Sequence, residues 1–159
     1  WISTQIFYPS VQSNLGIGWS KNMYHWETNA GWAGRWCSQN CIFLAKSCER
    51  RDRLEFTVQA PRPDYSSTQP LSFQISVYSL ADTKEFSSQV LQNLPQPLKT
   101  VEVKLETPDE QKTFQFNGTP KTVWYLVQIQ VNSVFNPKSQ GFSQDDRNLS
   151  VFVGEADCS

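Results

Sequence analysis

The chain has 159 residues, 38% of them hydrophobic, and a formal net charge of −1. That length suits one domain spanning residues 1–159, and the apolar content suits a packed core rather than a disordered chain. Near-neutral charge excludes long-range attraction to nucleic acid or to an acidic membrane surface.

No apolar run approaches the roughly 20 residues needed to span a bilayer as a helix. The first residue is Trp1, which reads as a processed mature form or an excised domain, the latter implying one piece of a larger membrane-anchored protein.

Taken in chain order, strand patterns recur and helical ones do not. Residues 2–8 alternate apolar and polar. Residues 16–40 then read as one long loop, followed by an apolar run over 41–45. Leu54, Phe56 and Val58 alternate with Glu55, Thr57 and Gln59. Residues 71–80 place Phe73, Ile75 and Val77 on one face, with Gln74 and Ser76 opposite. Residues 85–94 are the one candidate for a short helix. Val101, Val103 and Leu105 alternate with Glu102, Lys104 and Glu106, and Phe114 and Phe116 form a short pair. Residues 123–131 set Val123, Tyr125, Val127, Ile129 and Val131 against Gln128 and Gln130. A second long loop covers 132–148, and Leu149, Val151 and Val153 lead out of it with Phe152 on the other face. Period-2 alternation bounded by Pro, Gly, Asn and Ser is the signature of half-buried strands. Prolines at 61, 63, 95, 97 and 108 mark strand ends, because proline cannot donate to a ladder. About eight or nine strands at this spacing predict an all-β domain, a sandwich or jelly roll.

Four cysteines, Cys37, Cys41, Cys48 and Cys158, make an even count that reads as two disulfides. Zinc sites pair their ligands closely, whereas Cys158 stands 110 residues after Cys48 (158 − 48), and His25 is the single imidazole. Four cysteines allow three connectivities. The expected one is a local Cys37–Cys41 loop with Cys48–Cys158 tying back the last strand. Disulfides imply an oxidising compartment, hence an extracytoplasmic location: secreted, periplasmic or cell-surface.

The first long loop concentrates Trp19, Tyr24, Trp26, Glu27, Trp32, Arg35 and Trp36. Sugar rings stack their C–H faces on indoles and phenols, and sugar hydroxyls pair with carboxylates and guanidinium groups. These residue types together point to a glycan ligand. The plainer reading is that Trp and Arg close one end of the core, with Arg35 paired to Glu27. The second loop carries Asp145, Asp146 and Arg147 ahead of the last strand, either as a turn with an internal ion pair or as the other wall of the site. Calcium on Asp145 and Asp146 with backbone carbonyls is the alternative, though no EF-hand pattern is present. No cofactor is otherwise implied. A glycosidase would need two carboxylates across a cleft, for which Glu27 with Asp145 or Asp146 is the available pair.

The aromatic-Glu stretch at Trp26-Glu27, then Gly34-Arg35-Trp36 entering a strand, stands near the start of the chain. Pro137, Gly141 and Asp145-Asp146-Arg147-Asn148-Leu149-Ser150 stand near its end. In that order they resemble the extracytoplasmic β-sandwich domain that accompanies bacterial membrane glycosyltransferases and other surface-polysaccharide proteins. Two features depart from the family pattern: Ser150 stands where glycine is usual, and the cysteine cluster is extra. The resemblance implies a carbohydrate-recognition-like module, which the aromatic loop also suggests. A structural or protein-interaction β domain, such as an adhesin or assembly subunit, is the alternative, and a small glycan-active enzyme a further one.

Overall fold

A computed structural model describes residues 20–29, 32–46, 53–80, 92–117 and 124–155. The expected strand at 2–8, the pair Cys48–Cys158 and most of the candidate helix at 85–94 lie outside these. Every named element among the described residues is a β-strand. They are β1 (Ser20–Met23), β2 (Glu27–Asn29), β3 (Trp32–Lys46), β4 (Arg53–Gln59), β5 (Leu71–Ser79), β6 (Lys99–Leu105), β7 (Gln111–Asn117), β8 (Trp124–Val131) and β9 (Phe152–Glu155). No described helix is long and apolar enough to cross a membrane.

All pairings are antiparallel, in the order β6-β5-β8-β3-β9-β4-β7, with β1 and β2 added on β3. The strands fall into two layers. One holds β6, β5, β8, β1 and the C-terminal half of β3, from Asn40 to Lys46. The other holds β2, β9, β4, β7 and the N-terminal half of β3, with Gly34 to Trp36 on β9. Strand β3 therefore belongs to both. The path nearly closes into a barrel, because its end strands β6 and β7 are consecutive in sequence. Lys112 Nζ on β7 donates to the Lys104 carbonyl on β6 across that seam, 2.9 Å away.

The alternation read from the sequence is what fills the space between the layers. Leu54, Phe56 and Val58 from β4, Phe73, Ile75 and Val77 from β5, and Tyr125, Val127 and Ile129 from β8 are buried in one cluster. Phe43 meets Phe56 edge-on at 5.8 Å across the layers, and Phe56 stacks beside Phe116 at 5.8 Å. Edge-to-face and offset contacts are the arrangements that ring quadrupoles favour. Outside the first layer, Leu44, Leu80, Trp124 and Leu126 form a second buried cluster, with Ile42, Tyr78 and Leu94 against it.

The expectation of a single loop over 16–40 is corrected from residue 20 onward. Strands β1 and β2 lie inside it, and β3 starts at Trp32 rather than near Cys41. These segments lack clean alternation because β3 turns a corner there. Four residues of extended strand span about 13 Å, yet the Cα atoms of Cys37 and Cys41 are 5.5 Å apart and disulfide-bonded. The chain folds back at Ser38–Gln39, where β3 passes from one layer to the other. Strand β1 accommodates the corner with a bulge. Lys21 opposes Ile42 and Met23 opposes Cys37, while Asn22 between them takes φ 64°. Asparagine tolerates this left-handed backbone better than most residues. The Cys37–Cys41 pairing is the one expected.

Candidate functional site

The second long loop keeps its expected bounds and is shaped by its own backbone. Phe135 and Leu149 exchange two hydrogen bonds, 2.7 and 2.8 Å, which close the loop at its base. Asn136 organises the turn within. Its Nδ2 donates to the Asp146 carbonyl and carboxylate and to Asn148 Oδ1, and its Oδ1 accepts from the Ser139 amide. Gly141 sits at φ 79°, a position that favours glycine. Phe142 rests on Phe135 at 5.5 Å and is 64% exposed.

Beneath the loop lies a small buried cluster of Trp36, Leu149 and Phe152, with Tyr24 packed on it. Trp36 is 3% exposed and meets Phe152 edge-on. It opposes Phe152 in the β3–β9 ladder, so both rings lie under the loop. This corrects its expected role as a ligand platform, since a buried indole has no face to offer. Trp32 opposes Asn29 in the backbone ladder. Its side chain, like all of Trp19, lies outside the description.

The two segments singled out from the sequence come together across 120 positions. Arg147 NH1 donates to Glu27 Oε2 at 2.7 Å, and NH2 reaches Glu27 Oε1 at 3.4 Å. The same guanidinium grips Asp145 through Nε (2.9 and 3.2 Å to its two oxygens) and NH2 (2.8 Å), while the Arg147 amide adds a further bond at 3.1 Å. Glu27 thus pairs with Arg147 where Arg35 was expected. Arg35 instead donates through Nε to the Tyr24 carbonyl and through NH2 to the Met23 carbonyl at 3.4 Å. It supports the backbone beneath the site, and burial pulls its own ionisation down from the usual arginine value. Tyr24 completes the assembly. Its ring lies under Arg147, with 5.2 Å from guanidinium carbon to centroid, and its hydroxyl accepts from the Asn148 amide at 3.2 Å. Arg147 is thereby held from two sides and stacked from below.

Roughly a third of each of Glu27, Asp145 and Arg147 remains exposed. Beside Glu27 in sequence, Trp26 is 40% exposed. The three ionised groups sum to −1 (two carboxylates, one guanidinium), so the cluster suits a ligand that donates hydrogen bonds rather than an anion. Asp145 and Asp146 are engaged by different partners, Arg147 and Asn136 respectively.

The hydrogen bond from Arg147 holds the Asp145 carboxyl below the ordinary aspartate value of 3.8, and the bonds from Asp145 and then Glu27 raise Arg147 further. A depressed carboxylate contributes stability above its ordinary range and loses it as pH falls through the lowered value. We therefore expect the Arg147 Nε–H resonance to follow a titration whose midpoint lies below 3.8. A midpoint at or above 3.8 would contradict the clamp.

Sequence reading did not mark Asn136 as the loop's organiser, nor Arg62 and Asp64 nearby. Arg62 is fully buried and donates to both Asp64 oxygens at 2.6 Å, to Ser133 Oγ, and to the Ser133, Leu149 and Ser150 carbonyls. Its flanking prolines, Pro61 and Pro63, carried the signal of a strand end and concealed an anchor. Close by, Tyr65 donates to the Ala60 and Thr107 carbonyls, and burial pushes its hydroxyl up to about 12. Comparison of the chain with protein-family models and with curated proteins gives no match.

Proposed function

We propose that this domain is a non-catalytic carbohydrate-binding module that works outside the cytoplasm, in company with glycan-handling machinery. The observation that carries the reading is the convergence of Tyr24 and Glu27 with Asp145 and Arg147, two segments about 120 positions apart in the chain. An exposed indole, Trp26, precedes in sequence one of the two carboxylates that this guanidinium holds, Glu27. Carboxylate lone pairs not taken by Arg147 can accept sugar hydroxyls, and the Trp26 ring offers an apolar face for a pyranose. The Cys37–Cys41 disulfide fits the extracytoplasmic setting. Binding fits the site better than hydrolysis, because Asp145 is held ionised by Arg147 and so is a poor proton donor.

Titration with a panel of neutral oligosaccharides, followed by tryptophan fluorescence and calorimetry, tests the reading. Loss of the exposed ring in Trp26→Ala should weaken binding by about tenfold or more, as expected for an aromatic contact worth ~1–2 kcal/mol. Wild-type affinity in a folded Trp26→Ala protein removes Trp26 from the site, and no binding by wild type removes the reading.

Phe142 and Trp26 also favour a second reading, in which the loop docks another protein. A concentration-dependent dimer in sedimentation, lost in Phe142→Ser, together with silence toward the sugar panel, would select it.

A further inference from the structure

The outer side of the first layer carries a different chemistry. In its cross-strand rows, Asn40 of β3 opposes Gln130 of β8, Gln130 opposes Gln74 of β5, and Gln74 opposes Glu102 of β6. One row over, Lys21, Ile42, Gln128 and Ser76 line up in the same way. Where the two rows meet β1, a groove of about 250 Å³ opens. Its floor is Cys41 and Ile42, Leu94 stands on one side, and the polar lining is Lys21, Asn22, Asn40 and Gln128.

Three features of this groove point to a ligand. First, among the described residues its polar lining is three amides and one ammonium, with no carboxylate. Primary amides present a donor and an acceptor a fixed distance apart, which matches hydroxyls on a ring, and the ammonium supplies a charge-assisted donor. Second, the bulge in β1 re-aims Asn22. Bulges change a side chain's direction at the cost of one ladder position, and Asn22 takes φ 64° to do so. Third, Asn40 is oriented in advance. Its Oδ1 accepts from the Val131 amide at 3.1 Å, which commits the oxygen and leaves the two Nδ2 protons for a further acceptor. The volume lies just under the ~300 Å³ where pockets for drug-sized ligands begin, so it suits a single ring.

We infer that this groove is a second binding site, separate from the Arg147 cluster, for a carboxylated sugar unit of the hexuronate type. Lys21 takes the carboxylate, the amides of Asn22, Asn40 and Gln128 take ring hydroxyls, and Ile42 and Leu94 meet the C–H face. The site's charge is opposite to that of the Arg147 cluster, which carries a net −1. The two surfaces thus select different ligands, and this one stands whether or not neutral glycans bind at Trp26.

Side-chain amide resonances of Asn22, Asn40 and Gln128 in ¹⁵N–¹H spectra give a direct readout. Galacturonate should move all three saturably, while galactose and acetate at equal concentration should bind distinctly more weakly, since each lacks half of the recognised chemistry. Lys21→Ala should weaken galacturonate binding by about fivefold to tenfold, the size of one charge-assisted contact. Lys99→Ala, an exposed cation elsewhere on the same layer, should leave the affinity unchanged. Backbone resonances report folding of each variant. The proposal is overturned if galacturonate moves none of the three amides, if galactose or acetate matches it, if Lys21→Ala binds as wild type does, or if Lys99→Ala weakens binding equally.

Discussion

Arg62→Ala is expected to destabilise the domain by about 3–5 kcal/mol, the range seen when one partner of a buried, hydrogen-bonded ion pair is removed. The guanidinium is 1% exposed and spends its donors on Asp64, Ser133, Leu149 and Ser150. Deleting it leaves buried carbonyl oxygens without donors and a void where the side chain lay, and the two costs act together. For a domain of this size that corresponds to a fall in Tm of about 10 °C or more. Arg62→Lys should recover little, because an ammonium cannot reproduce the planar fork that spans Asp64 and three carbonyls. Asp64→Asn should cost less, since a third of the Asp64 side chain is already in water. Urea unfolding monitored by tryptophan emission measures all three. An Arg62→Ala midpoint implying a loss under ~1 kcal/mol would show that Arg62 is not the anchor described. Ser133, Leu149 and Ser150 bracket the second loop, so the same variant should also loosen Arg147 and weaken whatever binds there.

Gly34→Ala should be the next most damaging small change, at about 3 kcal/mol, the upper end of the usual overpacking range. A Cβ at this position would stand 2.4 Å from the Val153 carbonyl oxygen and 2.8 Å from a Phe152 ring atom. The carbonyl is backbone and cannot swing aside without parting β9 from β3, whose ladder runs through Gly34–Gly154, Arg35–Val153 and Trp36–Phe152. Gly34 also faces Glu27 across the β2–β3 pair. The insertion therefore disturbs the fold and the Glu27–Arg147 contact at once. Calorimetry should show the lower Tm, and amide exchange should show early opening of Val153 and Gly154. Unchanged stability would mean that β9 yields more freely than its pairing suggests.

Elements with one wet and one dry face were legible in the sequence. Strands β5, β6 and β7 alternate more and less buried positions, which sequence alternation reports directly, and in β4 the polarity of Glu55 and Thr57 kept the period readable although both are buried. In β8 the outward Trp124 and Leu126 are also buried, beneath a second cluster, yet Gln128 and Gln130 kept the period visible. The region from Ser20 to Asn40 was opaque for a physical reason. There β1 bulges at Asn22, Arg35 uses its donors on the carbonyls of Tyr24 and Met23, Trp36 packs beneath a loop, and a corner interrupts β3. None of these leaves a two-residue rhythm. The residue types at the Arg147 cluster were readable as chemistry, but their meeting was not, because no local signal links positions 120 apart. Arg62 was hidden more thoroughly: a charged residue between prolines reads as a turn, and only the third dimension surrounds it with carbonyls.

Because β3 hydrogen-bonds in both layers and is stapled at its corner, neither sheet can slide over the other without tearing one continuous strand. The Cys37–Cys41 bond ties the two halves of that strand across the corner, so opening the corner requires breaking a covalent link and not hydrogen bonds alone. Reduction of the staple should reveal its contribution as a lower unfolding temperature with little change in secondary structure.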